Sequence, residues 1–387
     1  MTGTMLTEFP AATAGELAVR NHESFLNRCW YVLRRWPDRP ATAEQILDEE
    51  RRRSDLLGDT SALDRLGTLA SELHAKRPSS PDTHLIAAKV ASLLHRFAAA
   101  REHLDNSAQW GAAESDISRI RRSIEQAVGE NLPAVLAWRQ EIAETTEALQ
   151  DLVPLGALLA DIGEFEEANR TYERAIRQYR DLSPFALAWV CFQMGVLWGE
   201  AMPAPDHDRA AFWYRQAIAY LPGYARARVH LAELHLETEE YDAAEDLLLS
   251  VVDNGDPEIP WRLAQAMAAQ RRAEEAERYC KAAQTAFETL LSRHELAFAD
   301  HAAEFYLSIG ADIGRACHLA RLNLANRPTL RAFELAHKAA RAACDKNSIS
   351  ELLMRARAQW GATKAFACSP LSEHSSPSTS ANLGALP

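Results

Sequence analysis

Apolar side chains recur along the chain at the spacing of amphipathic helices. In residues 163–179, GEFEEANRTYERAIRQY, the apolar positions Ala168, Tyr172 and Ala175 follow at intervals of four and three. Residues so spaced lie on one helical face, where a small side chain lets another helix approach and an aromatic ring fills the space beyond it. Period-two runs of Val and Ile are missing, so the pattern predicts an all-α fold.

The small, large, small pattern returns four times. Its members are Ala210, Tyr214 and Ala217; Ala244, Leu248 and Val251; Ala276, Cys280 and Ala283; and Ala316, Ala320 and Asn323. The leading alanines are separated by steps of 42, 34, 32 and 40 residues. A preceding helix with its own small residue is marked by Gly156, Gly195, Ala232 and Ala264. Each such helix pair leaves an apolar face that a stacked neighbour must cover.

This spacing, with prolines at Pro184, Pro222, Pro257 and Pro328, resembles that of tetratricopeptide repeat proteins over residues 151–328. The resemblance implies a right-handed α-solenoid of stacked antiparallel helix pairs. We predict an N-terminal helical segment or cap at 1–80, a degenerate repeat-like region at 81–150, and repeats at 151–361. Residues 362–387 are rich in Ser and Pro and are predicted to be a disordered tail.

Charge is distributed unevenly. Residues 151–300 hold 14 basic and 26 acidic residues, a balance of −12, whereas residues 301–387 hold 10 and 6, a balance of +4. The first 150 residues hold 18 and 22, a balance of −4. An acidic centre opposes binding to nucleic acid phosphates. No stretch approaches the length of a membrane-spanning helix, so neither nucleic acid nor a membrane is an expected partner.

No motif for catalysis is found. The chain lacks GxxxxGK[ST], GxGxxG and GxSxG, and its six cysteines are scattered without ligand spacing, as in a protein of a reducing compartment. His294 and His301 lie seven residues apart on one helical face, but a metal would need a further ligand from elsewhere. We therefore predict a cytoplasmic, non-enzymatic protein with no metal and no cofactor.

The resemblance also implies where a partner binds. In tetratricopeptide repeat proteins the first helix of each pair lines the concave side. The corresponding positions are Trp189, Phe192, Arg226, Val229, Glu233, Glu237, Trp261, Gln265, Phe298, His301 and Phe305. Tryptophans on a surface would act as binding anchors. If the superhelix winds tightly, the same rings pack between repeats instead.

The preferred hypothesis is an interaction scaffold that holds a peptide segment or helix of another protein in this groove, with acidic flanks favouring a basic partner. The alternative is a regulator that senses a peptide or metabolite and uses its N-terminal helices as an output module. In that case Arg51, Arg52 and Arg53 add positive charge near a helix-turn-helix candidate, although Asp48, Glu49 and Glu50 offset it. An enzyme subunit built on the repeats would need a catalytic domain that the sequence does not show.

Overall fold

A computed structural model describes residues 9–37 and 39–373, and every regular element in these ranges is helical. The helices are α1 (Gly15–Arg35), α2 (Pro40–Leu57), α3 (Ser61–Lys76), α4 (Pro81–Leu93), α5 (Phe97–Gln109), α6 (Glu114–Val128), α7 (Leu132–Thr146), α8 (Leu149–Asp161), α9 (Phe165–Gln178), α10 (Pro184–Val196), α11 (His207–Tyr220), α12 (Ala225–Glu237), α13 (Tyr241–Leu249), α14 (Glu258–Ala269), α15 (Ala273–Leu307), α16 (Ile313–Asn326), α17 (Leu330–Ala342), α18 (Lys346–Trp360), α19 (Lys364–Cys368) and α20 (Pro370–Glu373).

Consecutive helices pack as hairpins. The tightest pairs are α4 with α5, α8 with α9, α10 with α11, and α14 with α15. Helix α15 is broken at His294, whose backbone (φ −137°, ψ 48°) is not helical. Its first part therefore pairs with α14 and its second part with α16. The predicted all-α solenoid of stacked helix pairs is confirmed, and the break accounts for the 40-residue step from Ala276 to Ala316.

Five hairpins have turns of the same length and backbone geometry. The first helix ends, three residues follow, and the second helix begins; the middle residue of the three has a left-handed backbone. It is His95 (φ 53°), Gly163 (φ 89°), Glu239 (φ 62°), Arg271 (φ 61°) and Cys344 (φ 56°). This conformation is strained for residues with a side chain and unstrained for glycine, so four of the five turns carry strain.

The helices of a hairpin approach closely where a glycine faces a tyrosine. A Cβ atom on Gly156 would lie 2.4 Å from the ring of Tyr172, and one on Gly195 would lie 2.3 Å from the ring of Tyr214. In other hairpins an alanine stands at the first position and a smaller residue at the second: Ala232 with Leu248, Ala264 with Cys280, and Ala336 with Leu352. In these pairs tyrosine therefore faces glycine, and the residue that faces alanine is smaller than tyrosine.

Contacts also form between helices that are far apart in the sequence. Tyr220 Oη donates a hydrogen bond to the carbonyl of Pro10 (2.8 Å), and Asn326 Nδ2 donates to the carbonyl of His95 (2.9 Å). These partners are 210 and 231 residues apart in sequence. Asp64 on α3 contacts both Arg293 (2.8 Å) and His294 (2.8 Å) at the break in α15. The N-terminal helices thus touch distant repeats as well as the adjacent ones.

The C-terminal segment differs from the sequence prediction. Part of the stretch assigned to a disordered tail forms α19 and α20, with Phe366 and Leu371 buried in the core. Helix α19 packs on the turn between α8 and α9, where Lys364 Nζ lies 2.5 Å from a carboxylate oxygen of Glu164. Two apolar side chains in a Ser-rich stretch suffice because the core of the adjacent helices α15 to α18 supplies a surface for them. Residues 374–387 of the predicted tail lie outside the described residues.

Candidate functional site

A cavity of about 740 Å³ opens on the first helices of successive hairpins. We call it the charged pocket. It is formed by α10, α12, α14, the second part of α15, and α17, and its polar lining consists of Gln193, Glu200, Arg226, His230, Glu233, Glu237, Tyr241, Glu258, Arg262, Gln265, His301, Glu304 and Arg331. It lies on the helix face that the tetratricopeptide resemblance assigned to partner binding.

The repeat register explains how these side chains come together. The small residue of each first helix faces its partner helix, and the position two residues earlier points into the pocket. That position holds His230, Arg262 and His301, which we call the basic stripe. The position one residue after the small residue holds Glu233, Gln265 and Glu304, which we call the acidic stripe. Stacking the hairpins therefore aligns two rows of opposite polarity.

Ion pairs connect the rows between repeats. Arg262 on α14 contacts Glu233 on α12, and its Nη1 donates to Gln265 Oε1 at 3.0 Å. Arg331 on α17 lies 3.4 Å from a carboxylate oxygen of Glu304. These pairs leave few charges in the pocket uncompensated, as is required where charged groups are partly desolvated.

His301 is held in its charged form. Its Nδ1 lies 2.8 Å from a carboxylate oxygen of Glu258, and Asp300 is the next nearest acid. Burial lowers the pKa of His301, but the charges of Glu258 and Asp300 outweigh burial and raise that pKa to about 10. Burial raises the pKa of Glu258, and the charge of His301 outweighs it, so this pKa is lowered. Both partners are therefore ionised at neutral pH.

Glu200 enters the pocket from a turn of π-helix, Leu197–Ala201, that follows α10. Its Oε1 lies 2.7 Å from His230 Nδ1, and the hydroxyl of Tyr214 donates to it at 3.4 Å. Burial raises the pKa of Glu200, but the charge of His230 outweighs burial and brings that pKa to about 2. Sequence analysis did not select Glu200 as a site residue, although the unusually long connection between α10 and α11 indicates an irregular segment at this point.

Two guanidinium groups in the pocket keep hydrogen-bonding capacity that the described residues do not use. Arg226 is exposed and has no carboxylate within 4.0 Å among the described residues. The Nε atom of Arg262 is buried without a hydrogen-bond acceptor in the same part of the chain. Opposite them, Glu237 is exposed and contacts only His207, at 3.6 Å. The pocket thus holds a guanidinium without an ion pair at Arg226 and, at Glu237, a carboxylate whose ion pair is with His207.

The structure brings six of the eleven predicted binding residues into the pocket. They are Phe192, Arg226, Glu233, Glu237, Gln265 and His301. Of the predicted aromatic anchors, Trp189 and Phe298 are half-buried against the core. Phe192 is the one predicted aromatic anchor that lines the pocket.

Trp261, Val229 and Phe305 are not on a surface. Their exposed fractions are 2%, 1% and 0%. Trp261 lies edge-on to Phe305, with ring centroids 5.9 Å apart, and the guanidinium of Arg262 covers its other side at 3.6 Å from the ring centroid. The expectation that Trp261 is an accessible anchor is wrong, because the superhelix winds tightly enough to enclose it. The pocket is charged where an aromatic groove was expected.

The two histidines considered for metal binding point to different partners. His294 Nε2 lies 2.8 Å from Asp64, whereas His301 contacts Glu258. Over residues 9–37 and 39–373, no three His, Cys, Asp or Glu side chains are placed to hold a metal ion together. No helix in the same ranges combines the length and the apolar character needed to cross a membrane.

Solved structures with similar folds are distant in sequence. Pseudomonas aeruginosa PilF is 16% identical, with a TM-score of 0.32, and the match covers 57% of this chain and 96% of PilF. A chain of the Cut9–Hcn1 assembly of the APC/C is 14% identical, with a TM-score of 0.45; the match covers 82% of this chain and about half (52%) of that one. Yeast Tom70 is 11% identical, with a TM-score of 0.35, covering 89% and 83%.

Sequence comparison identifies the repeat itself. Residues 204–254 match the family model described as Tetratricopeptide repeat. Comparison with curated protein sequences gives no match. The matched residues include α11, α12 and α13, and α12 supplies Arg226, His230 and Glu233 to the charged pocket. The chain is therefore an α-helical solenoid that contains a tetratricopeptide repeat at residues 204–254, as its sequence pattern predicted.

Proposed function

We propose that this protein is a non-catalytic interaction scaffold whose charged pocket holds a mixed-charge segment of a partner protein. One observation carries the proposal: five successive first helices place polar side chains around a single open cavity, and Arg226 in its wall has no acidic partner within 4.0 Å among the described residues. Unpaired arginine presents five donors and favours a carboxylate from outside the chain.

The same geometry favours a partner that also carries a basic residue. Glu237 lies on the acidic side of the pocket with only His207 near it. An extended segment with an acidic and a basic side chain would complement Arg226 and Glu237 together. Because most other charges of the pocket are already paired within the chain, these two residues supply specificity, and complementary potential would govern the association rate.

The test compares two arginines in similar settings. Arg226 lies in the pocket, and Arg215 on α11 is also exposed, with no carboxylate within 4.0 Å among the described residues. Affinity capture from the lysate of the source cells, quantified by mass spectrometry, is run with wild type, Arg226→Glu and Arg215→Glu. A protein retained by wild type and Arg215→Glu, and lost from Arg226→Glu, supports the proposal. Equal retention by both variants removes the pocket as the binding site.

A further inference from the structure

Helix α1 carries a second set of apolar side chains that no other part of the described chain covers. Its inner face, with Leu26, Cys29 and Leu33, is buried in the core formed with α2, α3 and α4. On its other side Phe25, Tyr31 and Trp36 remain 42%, 63% and 47% exposed. Three large aromatic side chains exposed on one helix of a soluble solenoid call for a partner surface.

Arginines are interspersed among these aromatic residues. Arg28, Arg34, Arg35 and Arg39 are exposed, and none has a carboxylate within 4.0 Å among the described residues. In the sequence from 24 to 39 they are opposed only by Asp38, which lies outside the described residues, so four positive and one negative residue give +3. We call Phe25, Arg28, Tyr31, Arg35 and Trp36 the outer face of α1.

The arginines of the next helix behave differently. On α2, Arg51, Arg52 and Arg53 each contact an acidic residue, namely Asp55, Glu49 and Asp59. Arg28, Arg34, Arg35 and Arg39 therefore differ in this respect from the arginines of α2. The guanidinium groups of Arg35 and Arg39 lie 5.7 and 5.5 Å from the ring centroid of Trp36, which keeps cation and ring together at the surface.

We propose that the outer face of α1 binds the headgroup region of an anionic phospholipid membrane, with α1 lying along the surface. Tryptophan and tyrosine favour the boundary between headgroups and acyl chains, and unpaired arginines favour lipid phosphates. Only the outer face would enter the headgroup layer, since the inner face of α1 stays in the protein core. This is contact with one leaflet and not insertion across the bilayer.

The shape of the face favours a membrane over other anionic partners. A single helix presents a convex cylinder, which matches a flat, deformable layer. Single-stranded nucleic acid is bound in grooves that follow its backbone, and the outer face provides none. A second copy of α1 would oppose Arg28 and Arg35 with the same charges, and like charges in close contact repel.

The remainder of the molecule would orient this contact. The chain carries a net charge of −12, and residues 151–300 alone contribute −12. That region is repelled by an anionic leaflet while the outer face is attracted, so only one orientation brings the protein near the membrane. Screening limits both effects to roughly 8 Å at physiological ionic strength, and binding should weaken as salt is added.

The test uses vesicles of defined composition. Co-sedimentation of the full chain is measured at 150 mM salt with vesicles of phosphatidylcholine alone and of phosphatidylcholine with about one-third phosphatidylserine. We expect binding to the mixed vesicles only. Arg28→Glu/Arg35→Glu should lower the partition coefficient by at least about tenfold, since each arginine near an anionic surface contributes a factor of roughly five. Tyr31→Ala/Trp36→Ala should lower it as well.

Matched controls exclude general effects of charge and of lost rings. Arg215→Glu/Arg278→Glu changes two exposed arginines on α11 and α15, and Trp110→Ala removes another exposed tryptophan. Circular dichroism confirms that each variant folds. The proposal is overturned if the mixed vesicles bind no protein, if the controls lose binding as much as the outer-face variants, or if a labelled dT20 oligonucleotide binds through the outer face while the vesicles do not.

Discussion

At the scale of single residues, one methyl group sets the distance between helices. Gly195 has no room for a Cβ because the ring of Tyr214 occupies that space, and the same holds for Gly156 and Tyr172. Where alanine occupies the position of the glycine, as at Ala232, the facing residue is not tyrosine. Among these pairs tyrosine therefore stands only opposite glycine, because its ring occupies the space that a Cβ atom would take.

Gly195→Ala should lower the free energy of unfolding by about 1–3 kcal/mol, the usual cost of overpacking a core. Tyr214→Leu in the same chain should recover part of the loss, because leucine leaves room for the added methyl group. Urea unfolding of both single variants and the double variant gives the coupling energy. Additive effects would show that glycine and tyrosine do not share one space.

Trp261 illustrates a limit of residue-level prediction. Its register on the first helix was correctly derived, but its exposure depends on how far the neighbouring repeats close over it, which helical spacing does not encode. Trp261→Ala should lower the free energy of unfolding by about 3–5 kcal/mol, as expected for a buried ring. Denaturant unfolding measures this directly. A loss below 1 kcal/mol would indicate that the ring is accessible after all.

The pair of His301 and Glu258 predicts a dependence on pH. The folded-state pKa of His301, about 10, lies above the ordinary value near 6.5. Between pH 6.5 and pH 10 the folded state therefore binds more protons than the unfolded state does. The stability that this pair confers is fully present below pH 6.5 and is lost as pH rises toward 10.

Unfolding measured from pH 6.5 to 10 should therefore show a steeper decline for wild type than for His301→Gln. His318→Gln, at an exposed position on α16, is the control and should follow wild type. Parallel curves for wild type and His301→Gln would show that the histidine does not stay protonated in the fold.

At the scale of elements, the hairpin turn is more uniform than its sequence. Five turns adopt the same left-handed middle residue, yet only Gly163 is glycine. Helix positions and pairing could be predicted from the sequence because three- and four-residue spacing is local. The turn geometry could not, because His95, Glu239, Arg271 and Cys344 do not favour a left-handed backbone, and packing of the two helices imposes it on them.

Arg271→Gly should therefore raise the free energy of unfolding by roughly 0.5–1 kcal/mol, since relief of backbone strain exceeds the added freedom of the unfolded chain. Arg278→Gly, seven residues later inside α15, should lower it by a similar amount. Thermal unfolding of the two variants decides the matter. Destabilisation by both would mean that the turn at Arg271 is unstrained.

At the scale of the whole molecule, residues about 200 apart form a second set of contacts. The pairs Pro10 with Tyr220 and Glu164 with Lys364 join one winding of the superhelix to the next. Sequence analysis assigned residues 1–80 to an N-terminal segment or cap and did not predict these contacts, because helical spacing indicates which side chains share a face and not which repeats meet across the superhelix. The same contacts order α19, which composition alone assigned to a disordered tail.

Gly163→Ala tests the contact between windings. A Cβ atom there would lie 2.2 Å from the backbone nitrogen of Ala365, so α19 should be displaced and the amides of residues 364–371 should exchange faster with solvent. Gly111→Ala is the control, because Gly111 also has a positive φ (88°) but nothing within 4 Å of the added atom. Hydrogen exchange with mass spectrometry should show no such change there; equal protection in both variants would refute docking of α19.

An open superhelix can stretch or widen easily, since each repeat touches only its neighbours. Here the bonds from Asp64 to the break in α15, and from Asn326 to His95, fasten the N-terminal helices to the later repeats. These contacts therefore resist stretching of the superhelix. A partner segment that fits the space between the windings would bind without breaking these contacts, whereas a bulkier segment would have to break them. The contacts would therefore limit the width of the segment that the protein can bind.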